Sequence, residues 1–182
     1  SGTTQSLAVR LIRTTTATWS DAEGRFDAPE WSFDAAPAAA LFPNNDYLDV
    51  FDVRIDGGPD ASSRVNLESA TALDRVSVSA GDELRIGTAG TLALVQSAMR
   101  PRSGQLHNDG TIRLDAGAKM LGPIELHLEG VGSLDLLPGA RIASNGSESF
   151  ALVNEADHTL RGAGTIDFAN ARDRPLGGLT NR

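Results

Sequence analysis

The residues best equipped for chemistry in this chain are acidic. Asp49, Asp52, Asp56 and Asp60 follow one another at intervals of three or four, and paired carboxylates facing across a bond serve polysaccharide hydrolysis or elimination. Period-two alternation places Asp52 and Asp56 on one strand face about 13 Å apart, at about 3.3 Å per residue. That exceeds the roughly 5–9.5 Å used by glycosidase pairs, so the four carboxylates are expected to solvate an exposed edge. Asp56 and Asp60, with carbonyls of the turn Gly57-Gly58-Pro59 between them, form a partial oxygen set of the kind calcium takes. The Gly-Gly-x-Gly-x-Asp nonapeptide of calcium-binding rolls is absent, so no cofactor is expected, with calcium the one ion left open. His107, His127 and His158 lack the paired spacing of a zinc site and read as three separate surface histidines. No nucleophile elbow, phosphate loop or dinucleotide fingerprint occurs: Gly162 and Gly164 stand without a third glycine and read as a corner. The remaining candidates are aromatic. Trp19, Trp31 and Tyr47 are either a platform on which a ligand stacks or, as the simpler reading has it, a cover over an open end of the core.

Composition says what must position such residues. The chain has 182 residues, 40% hydrophobic and 22% charged, enough apolar material for a core. Nineteen Gly, eight Pro and 5% aromatics favour many short elements joined by tight turns, since Gly reaches positive φ and Pro pre-sets turn geometry. A net charge of -8 repels phosphate backbones, so nucleic acid is not an expected partner. Cysteine is absent, leaving stability to hydrophobic packing. No run approaches the roughly 18 apolar residues of a membrane span, and no basic stretch followed by an apolar one opens the chain. Membrane insertion of this segment is not expected, and any export signal is expected outside it.

Residues 1–48 lack regular periodicity and are expected to form an irregular N-terminal cap, with a strand at Leu7 to Ile12 and a short helical turn at Pro37 to Ala40. From residue 49 to 182 the pattern is β-solenoid. Phe51, Val53 and Ile55 alternate with Asp52, Arg54 and Asp56, as a half-buried strand requires. Further short strands are expected at Val65–Leu67, Leu73–Val78, Leu84–Ile86, Leu92–Leu94, Ile112–Leu114, Ile124–Leu128, Leu134–Leu136, Phe150–Val153 and Ile166–Phe168.

Four of these belong to one phrase of Gly, hydroxyl residue, aliphatic, variable residue and apolar residue. It begins at Gly90, Gly110, Gly132 and Gly164, at intervals of 20, 22 and 32 residues. A period near 20 signals stacked repeats, with the last interval read as carrying an inserted loop or a fraction of another coil. A second phrase, Leu-x-Asn, ends at Asn108, Asn154 and Asn181, where Asn suits a sharp corner. One such turn of chain cannot enclose its own aliphatic residues. Stacking buries them at roughly 1.5–3 kcal/mol per large side chain, so stability passes from neighbour to neighbour. Leu92, Ile112 and Leu134 are expected to line up inside, with Ala93, Arg113, Asp135 and Asp167 outside. The expected fold is all-β, a right-handed parallel β-helix. An antiparallel β-sandwich competes if the Gly-rich links are hairpins.

The phrases His107-Asn108-Asp109-Gly110-Thr111-Ile112, Leu152-Val153-Asn154 and Gly178-Leu179-Thr180-Asn181 resemble the repeats of autotransporter passenger and filamentous-haemagglutinin-like β-helix proteins, over about residues 50–182. The resemblance implies export, a bacterial cell-surface or secreted setting, and a role in adhesion or as a rigid display stalk. It brings no catalytic residue. The leading expectation is a non-enzymatic segment touching a glycan or a protein of a host or neighbouring cell. The alternatives are a carbohydrate-binding module on Trp19, Trp31 and Tyr47, and a polysaccharide-active β-helix enzyme. Because Leu106-x-Asn108 leads straight into a Gly-Thr strand, further turns are expected after Asn181.

Overall fold

The computed structural model describes residues 12–37, 41–46, 49–59, 61–95, 104–146, 150–155, 157–168 and 179–181. Tyr47 and Asp60 lie outside them, as do the expected strand at Leu7 except for Ile12 and the expected helical turn except for Pro37. The described residues contain nineteen strands and no helix, hence none long and apolar enough to cross a membrane. The first strands are β1 (Arg13–Trp19), β2 (Glu23–Arg25) and β3 (Ser32–Phe33). The rest come in threes. β4 (Asp49–Ile55), β5 (Arg64–Leu67) and β6 (Ala70–Leu73) are followed by β7 (Arg75–Val78), β8 (Glu83–Ile86) and β9 (Thr91–Leu94). Next come β10 (Gln105–Asn108), β11 (Thr111–Leu114) and β12 (Lys119–Gly122), then β13 (Glu125–Glu129), β14 (Ser133–Leu136) and β15 (Arg141–Ser144). The last set is β16 (Ala151–Asn154), β17 (Thr159–Gly162) and β18 (Thr165–Asp167), before β19 (Leu179–Asn181).

Each strand from β4 to β16 pairs in parallel with the one three places on, which sorts the chain into three sheets. The first sheet runs β19-β16-β13-β10-β7-β4-β1-β3, the second β17-β14-β11-β8-β5-β2 and the third β18-β15-β12-β9-β6. The pairing of β1 with β3 is antiparallel. Parallel neighbours cannot be joined by a tight hairpin, and here the chain visits the other two sheets before returning, so the antiparallel sandwich is not what forms.

Alternation builds the interior. In the second sheet Val65, Leu84, Ile112 and Leu134 stand in direct register, and all four are fully buried. In the third sheet Leu92, Met120 and Ile142 do the same. The expected single rank is thereby corrected: Ile112 lies directly against Leu134, whereas Leu92 enters the same core from another sheet. The Gly-hydroxyl phrase marks two sheets, with Gly110 and Gly132 preceding second-sheet strands and Gly90 and Gly164 preceding third-sheet strands. Only the 22-residue interval, from Gly110 to Gly132, is therefore one complete turn.

The reason for glycine at these corners also differs from expectation. None of the four has positive φ, which belongs instead to Gly58, Gly81, Gly104, Gly117, Gly130, Gly139 and Gly162. They are needed for close approach. A Cβ on Gly132 would sit 2.7 Å from the Asn108 carbonyl oxygen and 2.9 Å from Asn108 Nδ2, and closer still to the Gly110 oxygen. Gly110, in turn, lies hard against the carbonyls of Ser79 and Asp82.

The described residues before 49 are partly regular. β1 and β2 pair in parallel with β4 and β5, forming an incomplete first turn. Asp34 covers the β1 edge, its Oδ1 accepting from Thr16 N at 2.8 Å, and hydrogen bonding from Thr16 holds its carboxyl below the ordinary value. Asn44 Oδ1 accepts from Ala72 N at 2.9 Å and Asn45 N donates to Ala72 O at 2.8 Å, covering the third-sheet edge at β6. Covering exposed strand edges in this way blocks unwanted pairing.

Candidate functional site

The two tryptophans belong to the core. Trp19 is 0% and Trp31 5% exposed. Their rings meet edge-on at 5.2 Å, and Phe26 packs on Trp31 at 4.8 Å. The indole nitrogens donate inward, Trp19 Nε1 to Asp21 O at 2.9 Å and Trp31 Nε1 to Phe26 O at 2.7 Å. A ligand platform on these two rings is thus corrected to core packing, because both are buried and neither has a free face for stacking. Tyr47, the third member, is outside the described residues.

The carboxylate row also divides. Asp49 points inward, is 1% exposed and pairs with Arg13 at 2.6 Å, so it does not solvate an edge. Asp52 faces outward beside Arg75 at 3.9 Å. Asp56 accepts from Gly58 N through Oδ1 and lies 3.9 Å from Arg54. Asp60, the other carboxylate of the expected calcium set, lies outside the described residues. Among the described residues no group of three or more His, Asp or Glu side chains is placed to hold a metal ion.

The outward face of the first sheet is where polar side chains converge. Register lines them into two ranks across the strands. Thr16, Asp52, Arg75 and Gln105 form one, and Thr18, Arg54, Ser77, His107 and Glu129 form the other. Most of these residues line an open groove of about 360 Å³. Its floor is sheet backbone, and its walls carry two cationic and two anionic side chains, which balances charge locally on an acidic chain. His107 lies between Asp109, at 3.1 Å from Nε2, and Glu129, at 4.0 Å from Nδ1. His127 bridges Glu125 and Glu155 in the same way, at 3.3 and 3.4 Å. Ser77 neighbours His107 in register, but both ring nitrogens of His107 face carboxylates, which leaves neither aimed at the hydroxyl as a general base requires. The groove is built to hydrogen-bond and to pair charges.

The second sheet's outer face is self-paired. Arg64 meets Glu83 at 3.0 Å, Arg161 meets Asp135 at 2.5 Å, and Arg85 and Arg113 share Asp115 at 2.6 and 3.2 Å. Arg141 is likewise bound to Asp167 on the third.

The asparagines depart most from expectation. Asn108 is the last residue of β10 and is fully buried, and Asn154 ends β16. They do not form one rank: Leu106 and Leu128 share the column of Asn154, while Asn154 pairs with Asn181. His158, read from sequence as a surface residue, is 4% exposed, and its ring touches both Asn108 and Asn154. Sequence reasoning missed this cluster because His158 belongs to no repeated phrase. No family model, curated protein or solved structure matches the chain.

Proposed function

We propose that this chain is a right-handed parallel β-helix segment of a secreted or surface-exposed bacterial protein, serving adhesion or display without catalysis. The observation that supports it most is the pairing of every strand from β4 to β16 with a parallel partner three places on, over an interior of stacked aliphatic residues. Such a body lengthens by adding turns and keeps its outer faces free to vary. Right-handedness follows from the near-universal hand of parallel crossovers. The groove on the first sheet is the surface this reading gives to a partner, a glycan or a protein of another cell. The sugar-stacking alternative loses two of its three aromatic rings with the burial of Trp19 and Trp31.

Two measurements test the reading. Incubation with acidic and neutral polysaccharides is expected to yield neither new reducing ends nor unsaturated products, and either product would overturn the non-enzymatic assignment. Beads coated with the protein are expected to adhere to cell surfaces, and to adhere less when Arg54→Ala and His107→Ala are combined. Equal adhesion by a variant with an unchanged unfolding midpoint would rule the groove out as the adhesive surface.

A further inference from the structure

His158 lies in the corner between β16 and β17, 4% exposed, and its neighbours dictate where its proton sits. Asn108 Nδ2 donates to Ser133 O at 2.8 Å and also lies 3.1 Å from His158 Nε2. An amide nitrogen has two hydrogens to give and accepts nothing, so Nε2 must be the acceptor. The imidazole proton is therefore on Nδ1, 3.2 Å from Asn154 Oδ1. Asn154 is held in the matching orientation because its Nδ2 donates to His158 O at 2.9 Å. The two amide orientations and the tautomer fix one another.

This joint crosses three successive turns of the chain: Asn108 from the first, Ser133 from the second and His158 from the third. The missing side chain of Gly132 gives it room, since a Cβ there would stand 2.9 Å from Asn108 Nδ2. No carboxylate among the described residues compensates a charge on the ring. Asp109 accepts from Val131 N and faces His107, Glu129 also faces His107, Glu155 faces His127, and Asp157 is exposed. None of these is in ion-pair reach of His158.

We propose that the Asn108–His158–Asn154 joint is an acid-sensitive latch: a proton arriving on Nε2 breaks the bond to Asn108 and loosens the last turn, β16 to β18, from the body. A protonated Nε2 would point a hydrogen at the hydrogens of Asn108. Rotating the Asn108 amide relieves that clash only by setting its oxygen against the Ser133 carbonyl. Asn108 Oδ1 is itself buried without a hydrogen-bond partner, a desolvation cost the joint already carries. Burial holds the ring's proton affinity below the ordinary histidine value. The latch's contribution is therefore complete above about pH 6.5, the unfolded value, and declines as pH falls below it.

Nitrogen-resolved NMR of the imidazoles in the intact protein, with hydrogen exchange corrected for intrinsic rates, tests this. His158 is expected as the Nδ1–H tautomer, titrating below about 6.5. Protection in β16 to β18 is expected to fall at least about fivefold between pH 7.5 and 5, the worth of one net hydrogen bond, while β4 to β8 hold steady. His158→Gln should abolish that selective fall, and Asn108→Asp should move the titration upward by placing a carboxylate against Nε2. An Nε2–H tautomer, a titration at or above the ordinary value, or a fall shared by all strands would overturn the latch. The tautomer and titration are read on the unmodified chain, so they decide the matter even if a variant fails to fold.

Discussion

Gly132→Ala tests the close packing of corners, together with the backbone bonds and the Asn108 amide that meet there. Gly132 lacks positive φ, so alanine meets no left-handed backbone penalty there and the effect on the folded state is steric. The new methyl group would lie 2.7 Å from Asn108 O, well inside ordinary van der Waals separation, and backbone rather than a pliable side chain must move. Overpacking of this kind costs about 1–3 kcal/mol. The shift also strains two backbone bonds between turns, Gly132 N to Asn108 O at 2.8 Å and Ser133 N to Gly110 O at 2.9 Å, each worth about 0.5–1.5 kcal/mol. Against this, alanine stiffens the unfolded chain by about 0.4–1 kcal/mol. The net expectation is a loss of about 3 kcal/mol, which moves a urea midpoint down by about 1–2 M at a slope near 2 kcal/mol/M. Far-UV circular dichroism and tryptophan fluorescence should be followed together, because both tryptophans report the N-terminal end. Gly146→Ala is the control: nothing lies within 4 Å of its Cβ position, and its stability should stay within about 0.5 kcal/mol of the parent or rise slightly. Equal midpoints for the two variants would refute the reasoning.

Ile112→Ala, in the stack between Leu84 and Leu134, should cost about 2–5 kcal/mol by the same unfolding assay. Trp19→Ala should cost about 3–5 kcal/mol, and the parent's tryptophan emission should not respond to added glycans, since the rings are buried. Asp115→Asn removes the carboxylate shared by two guanidiniums that stand directly opposite each other, Arg85 and Arg113. Asp115 hydrogen-bonds Arg85 and raises its proton affinity. The guanidiniums are nearly half-exposed, so the loss should be about 1 kcal/mol or less and should shrink further in high salt.

Alternation made the strands readable where inward positions are large and apolar, as at Phe51-x-Val53-x-Ile55 and Leu134-x-Leu136. Leu73 to Val78 reads as one strand, but Asp74, buried at 2% exposure, divides it between the third and first sheets. β12, β15 and β17 escaped notice because Met120, Ile142 and Leu160 each stand as a single strong inward residue without an aliphatic partner two places away. The Gly-hydroxyl phrase misled about phase, since corners before the second and third sheets meet the same steric demand for a missing Cβ and so converge on one sequence. The groove was partly legible: Asp52 and Arg54 read as outward, but nothing local brings His107 beside Ser77, thirty residues earlier. That neighbourhood arises from register across turns of unequal length. The buried His158 joint left no signal at all, as a hydrogen bond spanning 50 residues has no periodicity to betray it.

The stacking of successive turns is tested most directly by spin-label distances along one outward rank. Asn66, Arg85, Arg113, Asp135 and Arg161 follow one another in register on the second sheet, and a chain without cysteine accepts label pairs cleanly. With Asn66→Cys fixed and the second label moved to Arg113, Asp135 and Arg161 in turn, the mean separation should grow by about 4.8 Å at each step. Separations that do not increase in that order would contradict the stacked arrangement.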